Sequence, residues 1–433
     1  MDQINRRTWG RWAIGLLGAP ALGPLAACGG SGDDGDASVR LVNASAGYAS
    51  LDLYLDGTKS ASSVAYGSSS GYVATDAGSH TTAFYPSGAS TAVLSQTRTL
   101  SKDAPVTAVT YGPSGSLKAF ALTDTEGAPV SGYTKVLVWN VATDAGTVDV
   151  YLGGEGDDVA NATALAYSVA AGSSDSNGYV RTTAGTYRLR VTSSSDTTQV
   201  LLDTTGLKLT SEQVVCLVIT SGSGGVLVNA LSIVQGGSVT AFTNTTARAR
   251  LVNALDGTSV SASFNGTTLS SGSSGPTVGS YVNVTAASAA PVITVAGTAL
   301  GVAAQTLAAG GDYTLLVYGD AASPQFTLIA DDNRLPTSTS AVKMRLVNGL
   351  TSAATLSLAA DYSSIVDNLA QGSASSFVTL AKTSLNDLQV TTGSTALYDD
   401  NDGVTLIAQG VYTVFMFGTP TTSGARFVLR KER

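Results

Sequence analysis

Four stretches of the chain open alike: Val39-Arg40-Leu41-Val42-Asn43-Ala44, Val136-Leu137-Val138-Trp139-Asn140-Val141, Ala249-Arg250-Leu251-Val252-Asn253-Ala254 and Met344-Arg345-Leu346-Val347-Asn348-Gly349. The shared Asn recurs at intervals of 97, 113 and 95 residues. A period of that size is one small domain, so the 433 residues read as a series of like units. Further landmarks keep register. An aromatic-Val pair stands at Tyr72-Val73, Tyr179-Val180, Tyr281-Val282 and Phe377-Val378, which is 29, 39, 28 and 29 residues past the Asn. A late apolar strand follows, ending at Tyr111-Gly112, Tyr318-Gly319 and Phe417-Gly418, with Ile219 in the matching place of the second copy. The second copy carries its extra length near Gly153–Asn161 and Ser193–Thr198.

Within each copy, short β-branched runs of period two alternate with Gly, Ser, Asn and Asp turns, and no helical periodicity intervenes. In the first copy strands are expected near 38–44, 50–56, 62–66, 71–76, 79–85, 92–98, 106–112 and 116–123. Such spacing predicts an all-β chain of four tandem, immunoglobulin-like antiparallel β-sandwiches at 38–133, 134–247, 248–341 and 342–433. Linkers are expected at 124–134, 235–247 and 331–342, two of them stiffened by Pro129 and Pro336. In Leu51-Asp52-Leu53-Tyr54-Leu55-Asp56 the leucines should face inward, and Asp52, Tyr54 and Asp56 outward. The recurring Asn sits where a strand hands over to a turn, and its side chain can bond its own backbone two residues on.

The opening Val39–Ser45 followed by Leu51-Asp52-Leu53-Tyr54-Leu55-Asp56-Gly57 resembles the family catalogued as domain of unknown function 4397. The resemblance implies an exported bacterial protein with tandem immunoglobulin-like domains, and it implies no established activity. It is clearest in the first two copies, recognisable in the third and faint in the fourth. Asp52, Tyr54, Asp149 and Tyr151 are therefore the candidates for a shared surface-binding role. Ser261/Ser263 and Thr355/Ser357 replace them in the later copies.

The N-terminal segment reads as an address. Residues 1–27 form a signal peptide with a basic start, a short Gly/Pro-broken apolar run, and Leu25-Ala26-Ala27-Cys28, which resembles a bacterial lipobox. Cys28 would carry acyl chains that anchor the protein in a membrane, each buried methylene adding about 0.8 kcal/mol. Arg6-Arg7 with Trp9 also resembles a twin-arginine export signal, leaving that route and the general one both open. Gly29 rather than Asp after Cys28 favours the outer membrane, on either its periplasmic or its outer side. Residues 28–37 then form an acidic, Gly-rich tether.

The chain is poor in the residue types that do chemistry. It has one histidine, His80, and two cysteines, Cys28 and Cys216. No Gly-x-Ser-x-Gly elbow precedes a helix here, so His80 reads as an exposed residue at a strand start. Cys216, in an apolar strand, reads as a small buried hydrophobe without a disulfide partner. The acidic pairs Asp157/Asp158, Asp331/Asp332 and Asp399/Asp400/Asp402 read as solvated turn residues. The last group, with Asn401 and Gly403, loosely resembles a calcium loop whose alternating oxygens could hold a structural ion, and Asp33-Asp34-Gly35-Asp36 in the tether is similar; otherwise no cofactor is expected. Gly222–Gly225 resembles a phosphate cradle in composition only.

The net charge is −8, and −10 once residues 1–27 are removed, which argues against nucleic acid as a partner. Turn tyrosines Tyr48, Tyr66, Tyr85 and Tyr362 are candidates for stacking on sugars. The reading that follows is a non-enzymatic, lipid-anchored cell-envelope protein acting in binding, adhesion or envelope structure. Its partners would be the membrane and an envelope or extracellular polymer or protein. The alternative is a carbohydrate- or polymer-binding accessory to an envelope or secreted enzyme.

Overall fold

The protein is described by a computed structural model covering residues 36–158 and 162–433. Arg6, Arg7, Cys28 and nearly all of the 28–37 tether lie outside the described residues. Every regular element among the described residues is a β-strand.

The first unit shows how the pattern is built. Its strands are β1 (Asp36–Asn43), β2 (Ser50–Leu55), β3 (Thr58–Ala65), β4 (Val73–Asp76), β5 (Gly78–Pro86), β6 (Leu94–Leu100), β7 (Val106–Tyr111) and β8 (Lys118–Thr123). All eight expected strands are present, with β3 beginning earlier because Asp56 (φ 48°) and Gly57 (φ 80°) close a two-residue hairpin. They form two sheets of order β4-β1-β7-β8 and β3-β2-β5-β6. Leu41 of β1, Leu51 and Leu53 of β2, Phe84 of β5 and Ala108 of β7 meet between the sheets as one core.

One pairing departs from the antiparallel expectation. β1 runs parallel to β7, Arg40 opposite Thr107 and Val42 opposite Val109, while the other pairings are antiparallel. A central parallel pair is expected to be covered on both faces. Val39 and Leu41 face the core, and Val42 and Val109 face the second unit.

The same order recurs through the chain. The opening strands Tyr133–Asn140, Thr246–Asn253 and Val342–Leu350 pair in parallel with Val214–Ser221, Asp312–Asp320 and Val411–Gly418. Each such sheet faces a second four-stranded sheet across its own apolar core. Two further apolar clusters lie outside these cores. One joins Val42, Val109 and Leu122 to Leu137, Val218, Leu231 and Ile233. The other joins Val252, Leu316 and Ile329 to Val347, Phe415 and Phe417. The units are thus packed in two pairs, first on second and third on fourth, through the outer faces of the sheets that carry the opening strands. The stretch 235–247, expected to be a linker, contributes the strand Val239–Phe242 to the second unit's sheet.

Candidate functional site

Of the four candidate surface residues, Asp52, Asp149 and Tyr151 are buried and Tyr54 is half-buried. Asp52 is only 2 % exposed. It does lie on the outer face of β2, but opposite a bulge in β3, where Leu51 pairs with Val64 and Leu53 with Ala61. Its carboxylate accepts from the Ser63 amide (2.8 Å), Ser87 Oγ (2.7 Å) and Lys59 Nζ (2.6 Å). Burial alone would raise its pKa, but these donors together hold it below the usual carboxylate range. Ser63 has φ 53°, so the carboxylate clamps a strained bulge residue. Asp149 does the same for the Ser168 amide (2.7 Å), and Ser357 Oγ for the Asn368 amide (3.1 Å). Ser168 and Asn368 also have positive φ, 52° and 50°. Tyr54 lies half-buried against Tyr85, ring centroids 4.2 Å apart, and Tyr151 is buried with Tyr167 across its edge at 6.1 Å. The outward, solvent-facing reading of these positions is corrected: the face is right, the exposure is not.

The recurring Asn holds the two sheets together. Asn43, Asn140, Asn253 and Asn348 are all 0 % exposed. Each Oδ1 accepts from the amide two residues on, at 3.1, 3.1, 3.0 and 3.2 Å, as its place at a strand end suggested. The Nδ2 groups add what the sequence did not show. Asn43 Nδ2 donates to Tyr48 O and to Val64 O, both at 3.1 Å, tying the following loop and the opposite sheet to β1. Asn140, Asn253 and Asn348 repeat this on Gly146/Val169, Thr258/Ser273 and Ala354/Leu369.

A second recurring set lies between the units. The Arg at the second position of the opening motif is buried in three units: Arg40 (3 %), Arg250 (0 %) and Arg345 (2 %). Each Nε donates to a Thr directly across the parallel pairing, Thr107 (2.8 Å), Thr314 (2.9 Å) and Thr413 (3.2 Å). Each guanidinium stacks on the landmark aromatic, Tyr72 (4.9 Å), Tyr281 (4.4 Å) and Phe377 (4.6 Å). The remaining nitrogens cross to the neighbour. Arg250 makes two 2.7 Å bonds to Glu432, and Arg345 a 2.5 Å bond to Asp331. The third and fourth units therefore exchange arginine for carboxylate in both directions, the self-complementary pattern of a two-fold contact.

Arg40 instead reaches the carbonyls of Gly237 (2.5 Å) and Val234 (2.9 Å) in the second unit. There the equivalent positions are Leu137 and, paired with it, Cys216. Cys216 is buried, as expected, but in the inter-unit cluster rather than in its own sandwich core, and burial pushes its thiol upward. Asp331 is only 4 % exposed and also accepts from Tyr281 Oη and Thr314 Oγ1 at 2.7 Å, so the solvated-turn reading of this acid is corrected as well.

Where three units meet, the chain encloses a cleft of about 420 Å³. Its walls are Ala46, Ser114 and the strand end Tyr111 in the first unit, and the loop residue Asp144 with the strand residues Thr220 and Asn229 in the second. Ala309, Gly310 and Arg334 close the third side. The Tyr66 and Thr220 hydroxyls share a 3.0 Å hydrogen bond beside it. Gly222–Gly225 proves to be a close-approach segment. A Cβ on Gly224 would lie 2.7 Å from Asp312 N and 2.8 Å from Gly310 O. This lets Gly224 N donate to Gly310 O at 2.7 Å, joining the second unit to the third. Asp144 accepts from Leu335 N at 3.2 Å. Burial pushes its carboxyl above the usual range, against that bond and the charges of Arg433 and Arg334.

Of the turn tyrosines, Tyr48 is buried and accepts from Gly115 N (2.9 Å), Tyr66 bridges the first two units, and only Tyr362 is open, at 74 % exposure. His80 is half-buried rather than exposed, its ring nitrogens 2.6 Å from Asp56 Oδ2 and 2.8 Å from Asp76 O. Among the described residues no three His, Cys, Asp or Glu side chains gather in a metal-holding group. In the Asp399–Gly403 turn, Asp400 accepts from Tyr398 Oη (3.0 Å) and Asp402 N (3.2 Å), and Asp399 from Gln389 Nε2 (3.1 Å).

Comparison with known proteins adds little beyond the first unit. Residues 37–151 match the model of the family described as domain of unknown function (DUF4397), a span covering the first unit and the opening two strands of the second. No curated protein matches the chain. Among solved structures, the Bacillus anthracis TIE protein aligns at 8 % identity and a TM-score of 0.14, over 89 % of this chain and 69 % of that one. A likeness at that score carries no argument about this chain.

Proposed function

We propose that this is a bacterial lipoprotein whose body is four tandem domains of this family, 38–133, 134–247, 248–341 and 342–433, held at the cell envelope by acyl chains on Cys28. It acts without catalysis, as a rigid module for binding, adhesion or envelope structure. The observation that supports this most is the fate of the recurring side chains. The Asn joins sheet to sheet, the bulge acid clamps a turn, and the Arg, Thr, aromatic and acid join unit to unit. What recurs in the sequence is spent on holding shape and on fixing neighbours, which suits a spacer that presents surfaces at a set distance. The outer membrane is the favoured location, and nucleic acid is not a partner.

The test is metabolic labelling with a clickable fatty acid, followed by fractionation and protease shaving of intact cells, with Cys28→Ala alongside. The reading expects label on the native protein and none on the Cys28→Ala form, which keeps its uncleaved N-terminal segment. An unlabelled native protein, or label that the variant retains, overturns the anchor. Turnover of a polysaccharide or ester by the purified protein, abolished by one Asp replacement, overturns the non-catalytic reading.

A further inference from the structure

We propose that the cleft at the junction of the first three units is a binding site for a small neutral saccharide. Its volume of about 420 Å³ falls within the range of roughly 300–1,000 Å³ usual for small-molecule sites. The lining has the right chemistry. Tyr111 and Pro113 supply flat apolar surface, of the kind on which a sugar ring's C–H face rests. Ser114 and Ser221 supply hydroxyls that can both donate and accept, and Ser223, whose proton goes to Ala309 O at 3.3 Å, supplies an acceptor.

Asp144 is the directing group. Leu335 N is its one hydrogen-bond donor among the described residues, on Oδ1 at 3.2 Å, so a carboxylate in this partly desolvated place has acceptor capacity left over. Sugar hydroxyls are the donors that fill it without bringing a charge. The one cation in the lining, Arg334, is already held by Asp332 through two bonds, 2.7 and 3.0 Å, which leaves an anionic ligand no free counter-charge. The walls are fixed before any ligand arrives. The first two units are locked through Arg40 and the second and third through Gly224, so little ordering cost falls on binding. The inference goes beyond the envelope-module reading and does not depend on how the chain is anchored.

The test is saturation-transfer NMR on the full chain with a panel of neutral mono- and disaccharides: glucose, galactose, N-acetylglucosamine and their β-linked dimers. Inorganic phosphate, followed by calorimetry, is the charged control. The expected result is transfer to at least one sugar and no heat with phosphate. Ala46 is exposed on the rim, so Ala46→Trp fills the cleft without entering a core and should abolish the signal. Asp144→Asn removes the charge but keeps the shape, and should weaken binding about ten-fold or more, as expected for loss of a charge-assisted bond. Silence across the whole panel overturns the proposal. So does binding that both variants leave unchanged, which would place the sugar elsewhere, or phosphate binding with no sugar bound.

Discussion

The buried exchange between the third and fourth units makes a quantitative prediction. Arg250 and Glu432 are joined by two 2.7 Å bonds, with side chains 1 % and 2 % exposed. Replacing Glu432 by Leu strands the guanidinium between the rings of Tyr281 and Phe415, 4.4 and 5.4 Å away, with Thr314 as its remaining acceptor. Uncompensated charge at such a place costs about 3–5 kcal/mol. Arg250→Leu strands the Glu432 carboxylate instead, at a similar cost. The double variant strands neither, and by the same reasoning lies close to neutral, since a buried pair and an apolar replacement of like volume differ little. The double variant should therefore be more stable than either single, with a coupling energy of about 3 kcal/mol or more. The pair of units is large enough that each kcal/mol moves its midpoint by about 2–4 °C. Calorimetry reads the transition, and hydrogen exchange on Thr246–Asn253 and Val411–Gly418 assigns it to this pair. Costs that simply add, to within about 0.5 kcal/mol, would refute the argument that charge pairing holds the units together.

Four further outcomes follow from the same geometry. Asn253→Leu leaves Ser273 O and Leu255 N without their partner, while Thr258 O keeps its bond from Gly275 N, so it should cost at least about 2 kcal/mol in denaturant unfolding, at about 1–3 kcal/mol for each stranded group. His80 is the single histidine, and its hydrogen bond to Asp56, over a smaller opposing effect of burial, raises its pKa above 6.5. Its contribution to stability is thus complete below about pH 6.5 and lost as pH rises through the raised value, and NMR titration should show Asp56→Asn bringing the midpoint back down. Cys216 should resist maleimide in the native Cys28→Ser protein, and Phe120→Ala, which removes the ring stacked on Trp139 at 4.1 Å, should speed labelling several-fold by loosening the first pair. Burial would raise the Asp332 pKa, but the bonds from Arg334 and the nearby Lys343 outweigh it and bring it to about 2. Its contribution is then present above about pH 4 and fades as pH falls toward 2, and Asp332→Asn should flatten the acid limb of the stability curve of the third and fourth units.

Much of the sandwich was legible because it follows from period-two patterning and turn chemistry. Leu51, Leu53 and Leu55 point inward as alternation requires, and Asn43 bonds its own backbone two residues on. What alternation cannot tell is whether the other face is wet. Asp52 and Val42 both lie on outer faces, yet one is covered by a bulge and its own hairpin and the other by a second unit. The pairing of units left a signal that was read only as a repeat landmark. An Arg inside an otherwise apolar strand, at 40, 250 and 345, belongs either at a wet face or at a buried contact with a partner waiting for it. The aromatic-Val pair lies on that same outer surface, and Asp331 and Glu432 stand two residues past the Arg-facing strand positions Ile329 and Arg430. The cleft was not legible at all, because it is made by loops and strand ends of three units that no local pattern relates.

The second unit shows why these positions belong together. Three of its residues differ from the rule at once: Leu137 for the Arg, Cys216 for the Thr, and Gln235 at the place of Asp331 and Glu432. Any one change alone would strand a group. An Arg at 137 without an acid across from it would be a buried cation, and an acid at 235 would have only Arg40 to answer it. With all three changed, the first pair keeps one cation and one anion, both in the first unit. Arg40 donates to Thr107 at 2.8 Å and Thr107 to Asp124 at 2.5 Å, so the charges are linked through a hydroxyl on their own sheet. Arg40 then needs only carbonyls from its neighbour, and finds them at Val234 and Gly237, while Gln235 turns away to bond Glu126 through both its amide atoms at 2.9 and 3.1 Å. The two pairs solve one problem in two ways. Each unit presents an outer face too apolar for water and too polar for a plain core, and a tandem neighbour covers it either by exchanging charges or by removing its own.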